Sequence, residues 1–248
     1  MSNEPRLPPA FEPVAVPPGV DPFEQAQIAA ERGVPDGTLV WSSRPDALDV
    51  AVVLLPETNL ERALPVVYAA LVGAGDSLGA LAPPHVAVTF GWPDRIEVNG
   101  AVVGVIRAAA PAGPSADAAK WLVVGITVAV APAPGAPEPG HDPRRTTLHD
   151  EGCGEVGVLD LLESFGRHFL HWVHRWQEDG FRALRDAYLS RATGFGTPLA
   201  LTLDGERYEG AFMGLTDTGG LLLVHGGATR SVALGRALRA PTWIQPGP

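Results

Sequence analysis

The sequence predicts an α/β protein of the α+β type that ends in a small β-barrel. Hydrophobic residues make up 46% of the 248 residues and charged residues 19%, which is typical of a globular protein. Apolar runs of strand length alternate with helical segments over the first 190 or so positions. After Gly194 the pattern changes to short strands separated by glycine-containing turns, which is typical of a small barrel.

Four helices follow from periodicity and capping signals. Asp21 is placed to cap the first helix, with Pro22 at its first position. Residues 61–81 form one long apolar-periodic helix. Residues 159–177 carry an amphipathic stripe of leucine, phenylalanine and tryptophan, and a second short helix follows over about 180–190.

Strands fill the intervals between these helices. Residues 50–55 are apolar throughout, as expected of a central strand. Asn99-Gly100 separates two apolar runs and predicts a hairpin with a two-residue turn. The remaining strands are expected at residues 38–41, 86–90, 96–98, 102–103 and 121–130, and then at 199–203, 208–215, 221–224 and 229–234.

These elements predict two domains preceded by an arm. Residues 1–20 contain six prolines and little periodicity, so we expect an irregular proline-rich arm. Residues 21–191 form the core domain and residues 192–248 the small C-terminal domain, with the boundary where the pattern changes.

Charge and composition exclude several functions. The net charge is −10 with no basic cluster, which argues against nucleic-acid binding. Lys120 is the only lysine beside 17 arginines, and Cys153 is the only cysteine, so neither a disulfide within the chain nor a multi-cysteine zinc site is possible. The start lacks a secretory pattern, and the apolar stretch 121–131 is too short to span a bilayer. We therefore expect a cytoplasmic protein without a membrane partner.

Three local patterns have both a catalytic and a structural interpretation. Gly75-Asp76-Ser77-Leu78-Gly79 matches the G-x-S-x-G nucleophile elbow, but helical periodicity precedes Ser77 where a strand would be needed. A histidine within hydrogen-bond reach of Ser77 would favour a hydrolase. Cys153 lies among acidic residues, which disfavour a thiolate.

Three histidines recur on one predicted helix. His168, His171 and His174 have a spacing that could bring two imidazoles to one metal. Their neighbours are aromatic and no carboxylate or cysteine stands at a matching position, so we expect packing and surface histidines and no metal site.

Three segments resemble one family of enzymes. Residues 91–106, which begin Gly-Trp-Pro-Asp-Arg, are similar to the signature of biotin protein ligases, where lysine-Trp-Pro-Asn-Asp is followed by a strand, a turn and a second lysine. Residues 121–128 resemble that family's apolar strand ending in Gly-Ile-Gly-x-Asn, and residues 144–148 its Arg-Ala-Thr-Ser-Leu. The resemblance to the biotin/lipoate A/B protein ligase family covers about residues 21–240.

The resemblance implies a class II synthetase-like mixed sheet flanked by helices, with an SH3-like barrel at the C-terminus. It also implies that ATP, with Mg²⁺, activates a small carboxylate such as biotin, lipoate or a fatty acid, which then passes to a lysine of a carrier protein. The implied site residues are Asp94 and Arg95 in catalysis, and Trp92, Gly104, Arg107, Gly125 and Thr127 in substrate binding.

The sequence departs from the family where this chemistry is carried out. The arginine-rich loop that covers the adenylate is missing, and Ser42-Ser43-Arg44-Pro45-Asp46 leads almost directly to the next strand. Gly91 and Val102 stand where the two lysines are expected, and Asp21-Pro22-Phe23 replaces a Ser-Thr-Asn.

Fixed cations aimed at developing negative charge are usually the largest catalytic contribution. Three hypotheses remain: a ligase with a rebuilt site, a binding module that has lost ATP activation and, far behind these two, a hydrolase that uses Ser77 or Cys153. Cations facing a phosphate site would distinguish the ligase from the binding module.

Overall fold

The computed structural model describes residues 4–111, 118–133, 135 and 141–239. The elements of the first part are β1 (Glu12–Val16), α1 (Pro22–Glu31), β2 (Thr38–Ser42), β3 (Ala47–Leu54), α2 (Leu60–Ala63), α3 (Val66–Leu81), β4 (Val88–Gly91), β5 (Arg95–Val98), β6 (Ala101–Ala109), β7 (Leu122–Ala129), α4 (Val158–Asp179) and α5 (Phe181–Leu189). They are followed by β8 (Pro198–Leu203), β9 (Glu206–Leu215), β10 (Leu221–His225), β11 (Ala228–Val232) and α6 (Leu234–Arg239).

The first seven strands form one mixed sheet in the order β1-β2-β3-β7-β6-β5-β4. Strand β1 runs parallel to β2, and every other neighbouring pair is antiparallel. Asn99 and Gly100 have φ values of 51° and 90° and form the β5–β6 turn, which confirms the hairpin. The expected mixed sheet with flanking helices is therefore confirmed.

Strand β1 lies within the segment expected to be irregular, so that prediction is wrong for Glu12–Val16. Glu12 pairs with Thr38 and Val16 with Ser42, which places β1 at the edge of the sheet. Pro13 is tolerated there because an edge strand leaves half of its backbone donors unused. The strand is short and mostly exposed, so the sequence carries little apolar signal for it.

Side chains along each strand alternate between the two faces of the sheet, and both faces carry apolar residues. Helices α3 and α4 cover one face, whose buried residues include Leu39, Trp41, Leu48, Val50, Val52, Val124, Ile126 and Val128. Helix α1 covers part of the other face through Phe23, Ala26 and Ala30, which pack on Val40, Ala51, Val53, Trp121 and Val123. Because α1 is only 10 residues long, it leaves the rest of that face uncovered.

The helix expected over residues 61–81 is divided into α2 and α3 at Leu64 and Pro65. Pro65 has no backbone N–H to continue the hydrogen-bond ladder of α2. The segment Leu60–Leu81 is long and apolar enough to cross a membrane, since an 18-residue window within it has a mean hydropathy of 1.5, but 78% of that window is buried inside the fold. Its longer part, α3, is the core helix against which α4 packs.

The C-terminal strands form a four-stranded antiparallel sheet in the order β11-β10-β9-β8. Among the described residues β8 and β11 are not paired with each other, so the expected SH3-like barrel is not confirmed and the sheet is open. The hydroxyl of Tyr68 on α3 donates a hydrogen bond of 2.5 Å to the Gly219 carbonyl of this sheet's β9–β10 turn. The division at residues 191 and 192 stays a prediction.

Two glycines of α3 allow a matched test of how closely α3 and α4 pack. A Cβ at Gly73 would lie 3.0 Å from the backbone of Phe169, whereas one at Gly79 would meet nothing within 4 Å. We expect Gly73→Ala to lower the free energy of unfolding by about 1–3 kcal/mol through overpacking. Gly79→Ala should raise it by up to about 1 kcal/mol through helix propensity. Urea unfolding measures both, and an equally stable Gly73→Ala variant would contradict the close packing.

Candidate functional site

A cavity of about 490 Å³ lies on the uncovered part of the sheet face, beyond the N-terminus of α1. The register explains why its floor is polar. Residues paired across β2, β3 and β7 form rows on this face of the sheet. The row under α1 is apolar and consists of Val40, Ala51 and Gly125. Two positions further along the strands, the row that faces the cavity is polar and consists of Ser42, Asp49 and Thr127. The cavity lining consists of Gly19, Val20, Asp21, Ser42, Arg44, Asp49, Asp94, Val105, Ile106, Arg107 and Thr127.

The polar row crosses three neighbouring strands. Asp49 of β3 is paired directly with Thr127 of β7, and Ser42 of β2 follows the Trp41–Val50 pair. Ser42 and Asp49 are both buried, and the Ser42 hydroxyl has no hydrogen-bond partner among the residues that the structure describes. A buried hydroxyl without a hydrogen-bond partner costs free energy, so this row is suited to contact a polar group of a ligand.

Arg44 forms one side of the cavity and is held by two carboxylates. It lies in the four-residue connection between β2 and β3, which confirms that this connection is short. Its Nε donates to Asp46 Oδ1 at 2.9 Å and its Nη2 to Asp46 Oδ2 at 2.5 Å, while Nη1 donates to Asp49 Oδ2 at 3.0 Å. The hydrogen bonds from Arg44 lower the pKa of Asp46, so the carboxylate stays ionised.

Arg107 on β6 forms a bidentate pair with Asp21. Its Nη1 and Nη2 each lie 2.7 Å from an Asp21 carboxylate oxygen, and its guanidinium carbon lies 4.4 Å from the centre of the Phe23 ring. Asp21 also caps α1, because its Oδ1 accepts from the Phe23 N–H at 2.9 Å. The Arg107 hydrogen bonds lower the pKa of Asp21 against the opposing effect of burial.

The lining is therefore more acidic than basic. It holds three carboxylates, Asp21, Asp49 and Asp94, against two guanidiniums, Arg44 and Arg107. Both guanidiniums are already bonded to carboxylates of the protein. The arrangement can contact a ligand through hydroxyls, carboxylates and the partly exposed Arg107, but it presents little net positive charge.

The structure brings Asp94, Arg107 and Thr127 of the expected site residues to this cavity, and it places Trp92 and Arg95 elsewhere. Trp92 is buried and its Nε1 donates to the Tyr68 hydroxyl at 2.9 Å. Arg95 Nε lies 3.6 Å from Glu97 Oε1, and its guanidinium fills the space where a Gly91 side chain would begin. Successive residues at the start of β5 point to opposite faces, which separates Arg95 from Asp94.

The two glycines expected at the site support the structure around the cavity. Neither is among the residues that line it. A Cβ at Gly125 would lie 2.5 Å from the Phe23 ring, so the missing side chain allows α1 to rest directly on β7. A Cβ at Gly104 would lie 2.6 Å from the Thr127 carbonyl oxygen.

Ser77 does have a histidine within reach, which is the condition that would favour a hydrolase. His168 Nδ1 lies 3.3 Å from the Ser77 hydroxyl oxygen. However, Ser77 is fully buried inside α3 and its hydroxyl donates to the Gly73 carbonyl at 2.7 Å. The same Nδ1 lies 2.9 Å from the Ser164 carbonyl, which requires Nδ1 to carry the proton. A protonated nitrogen cannot accept the serine proton, so the pair is structural.

The other two local patterns show no catalytic geometry. Cys153 is buried, and burial together with Glu151 raises the pKa of its thiol. His171 and His174 are exposed on α4, whereas His168 points toward α3. Within the part of the chain that the structure describes, no group of three or more His, Cys, Asp or Glu residues is arranged to hold a metal ion.

Sequence reasoning missed Ser42, Arg44 and Asp49 as parts of the cavity. Asp49 carried a usable signal, since it is the one charged residue in the otherwise apolar strand ALDVAVVL. Asp21 was recognised as a helix cap, but its pairing with Arg107, 86 positions away in the chain, has no local signal.

The fold is that of the biotin protein ligases. Biotin protein ligase from Aquifex aeolicus has the same fold at 17% identity, with a TM-score of 0.75 over 91% of this chain and 97% of that one. A biotin protein ligase-like protein of unknown function from Silicibacter sp. TM1040 superposes with a TM-score of 0.83 at 37% identity, over 93% and 97% of the two chains.

Sequence comparison assigns the family. The profile of the Biotin/lipoate A/B protein ligase family matches residues 7–190. A Biotin--[acetyl-CoA-carboxylase] ligase of Paracoccus denitrificans is 29% identical over 182 residues, which is 73% of this chain and 75% of that protein. The chain belongs to the biotin/lipoate A/B protein ligase family, as the sequence motifs predicted.

The lowered pKa of Asp46 predicts how the Arg44–Asp46 pair responds to acid. Because the pKa of Asp46 is lower in the folded state, its ion pair stabilises the fold at pH values above the ordinary aspartate pKa of about 3.9. This stabilisation is lost as the pH falls through the lowered pKa. The difference in free energy of unfolding between wild type and Asp46→Asn should be constant above about pH 5 and shrink below about pH 4. Urea unfolding at several pH values measures it, and a difference that grows in acid would contradict the pairing.

Replacing Arg95 separates a structural role from a ligand-binding one. Glu97 is buried and otherwise bonded only to the hydroxyls of Thr89 and Thr193 in the described contacts, so Arg95→Ala removes its charged partner. We expect the free energy of unfolding to fall by about 1–3 kcal/mol. Thermal unfolding and ligand titration of the same sample measure both properties. An unchanged melting temperature with lost affinity would instead show that Arg95 contacts the ligand.

Proposed function

We propose that this protein binds a small carboxylate of the biotin and lipoate class in the cavity beside α1, without activating it with ATP. The observation that carries the proposal is the charge arrangement: both guanidiniums that line the cavity are already bonded to carboxylates of the protein. The size of the cavity also supports a small ligand, since its volume of about 490 Å³ lies within the range usual for small-molecule sites.

The residues present do not fit a nucleoside triphosphate. Phosphate oxygens require several unengaged cations or backbone donors. The cavity instead offers three carboxylates and two engaged arginines, and Gly91 and Val102 stand at the family's lysine positions. Lys120 precedes the start of β7, whereas Thr127 in the cavity lies near that strand's other end. We therefore assign no step to ATP or Mg²⁺.

A carboxylate with a short organic body fits better. Apolar side chains such as Val20 and Val105 form part of the lining, and Ser42 and Thr127 offer hydroxyls for a polar group. Arg107 is 38% exposed and lies at the cavity, which places it within reach of a ligand carboxylate. One carboxylate adds a single negative charge, in contrast to the several charges of a triphosphate.

An active ligase is the second candidate, and family membership favours it. The Paracoccus denitrificans relative is named as a ligase, and biotin protein ligase of Aquifex aeolicus has been solved with biotin and ATP. If this candidate were correct, the ligand carboxylate would displace pyrophosphate from ATP to form an adenylate. The amine of a carrier-protein lysine would then take the acyl group, with release of AMP and a proton.

Two measurements on one preparation test the proposal. Calorimetric titration with biotin, lipoate and octanoate should show binding of at least one, and carboxylate-dependent ATP–pyrophosphate exchange should stay at background. Arg107→Ala should weaken carboxylate binding by about tenfold or more, because a charged hydrogen bond of about 1.5–3 kcal/mol is removed. Arg182→Ala, on the exposed side of α5, is the matched control and should bind as wild type.

Each result has a distinct consequence. Exchange above background with any of the three acids would overturn the absence of activation and establish the ligase. A folded protein that binds none of them at millimolar concentration would overturn carboxylate binding at this cavity.

A further inference from the structure

We infer that Asp21 is an internal competitor of the ligand: its carboxylate occupies the guanidinium of Arg107, and a ligand carboxylate binds by displacing it. This inference rests on the proposed function, because it concerns how the same cavity accepts a carboxylate. Both oxygens of Asp21 lie 2.7 Å from the Arg107 Nη atoms, which is the bidentate geometry that a free carboxylate would adopt.

Arg107 remains in place when Asp21 leaves. Its guanidinium carbon lies 4.4 Å above the Phe23 ring, and this cation–π contact does not involve Asp21. Its backbone is paired with Gly125 in the centre of the sheet. The receptor for an incoming carboxylate is therefore positioned before the ligand arrives, which reduces the entropy lost on binding.

Asp21 also keeps a partner after it is displaced. Its Oδ1 accepts the capping hydrogen bond from the Phe23 N–H at 2.9 Å. The side chains of Asp21 and Arg107 are 31% and 38% exposed, so water can solvate the released carboxylate. A partly exposed ion pair of this kind contributes little net stability, and a competing carboxylate can replace one partner at low cost.

The other arginine of the cavity is held more tightly. Arg44 donates three hydrogen bonds to two carboxylates, Asp46 and Asp49, and those side chains are only 15% and 12% exposed. A ligand would have to displace two largely enclosed carboxylates at once, which leaves charges with little solvation. We therefore expect a ligand carboxylate to replace the protein carboxylate at Arg107 and not at Arg44.

The test compares a carboxylate with its uncharged amide on a variant that lacks the competing charge. Asp21→Asn keeps an N-cap of similar strength, so α1 should remain folded. Calorimetric titration with octanoate should show about a tenfold tighter Kd in Asp21→Asn than in wild type, the effect of a modest coupling energy. Titration with octanamide should show no change, because an amide does not compete for the charged pair.

Asp186→Asn is the matched control. Asp186 forms exposed ion pairs on α5, and its replacement changes the net charge of the protein by the same amount as Asp21→Asn. It should leave both affinities as in wild type. A control that gained octanoate affinity as much as Asp21→Asn would overturn the inference, because the gain would then come from overall charge.

The remaining outcomes separate the inference from the function on which it rests. Wild type that binds octanoate while Asp21→Asn binds it equally or more weakly overturns the competition but leaves carboxylate binding intact. Equal gains for octanoate and octanamide also overturn it. If neither protein binds octanoate, biotin or lipoate while both are folded by circular dichroism, the proposed function fails together with the inference.

Discussion

The close approach of α1 to the sheet at Gly125 is the constraint on which the cavity depends. A side chain at this position would collide with the Phe23 ring, so its absence lets the first turn of α1 lie directly on β7. The same contact brings Asp21, the capping residue, above Arg107 on the neighbouring strand. The helix then covers the apolar rows of the sheet face, and its N-terminus lies where the polar row begins. The position of the cavity and the Asp21–Arg107 ion pair therefore both depend on the contact between Phe23 and Gly125.

Local signals in the sequence predicted much of the architecture. The cap at Asp21 and Pro22, the Asn99-Gly100 hairpin and the amphipathic α4 are all readable because each depends on residues close together in the chain. Strand β1 was not readable, since it is short, exposed and defined by a distant partner. The break at Pro65 was masked by apolar periodicity that continues on both sides of it.

The site was predicted less well than the fold. The resemblance pointed to the segment after Trp92, and Asp94 does reach the cavity. Arg95, one residue further on, is directed to Glu97, because neighbouring strand residues alternate between faces and no motif records which face holds the ligand. The charges that define the cavity come from the cap of α1, the β2–β3 connection, β3, the residue before β5 and β6, and their meeting depends on the register of the sheet. Among the residues that were missed, only Asp49, a carboxylate in an apolar strand, carries a signal in the sequence that could have found it.

The cavity is charged although no lysine is among the residues that line it. Charges of both signs remain, but each arginine is neutralised by the chain itself, so the surface is polar without being strongly electropositive. Such a site can distinguish ligands by the geometry of their hydrogen bonds more than by their total charge. Such a site is consistent with the proposed function, because a protein that only binds its ligand does not have to stabilise charge that develops during a reaction.

The Tyr68 hydroxyl links the large sheet to the C-terminal one. It accepts from Trp92 and donates to the Gly219 carbonyl, and its ring lies where a Gly219 side chain would be. A fully buried phenol thus has its acceptor on the other sheet. The cost of burying Tyr68 is offset only when both sheets are formed, so the two units are expected to melt in one cooperative transition. A protein that ended before β8 would carry an unsatisfied donor in its core.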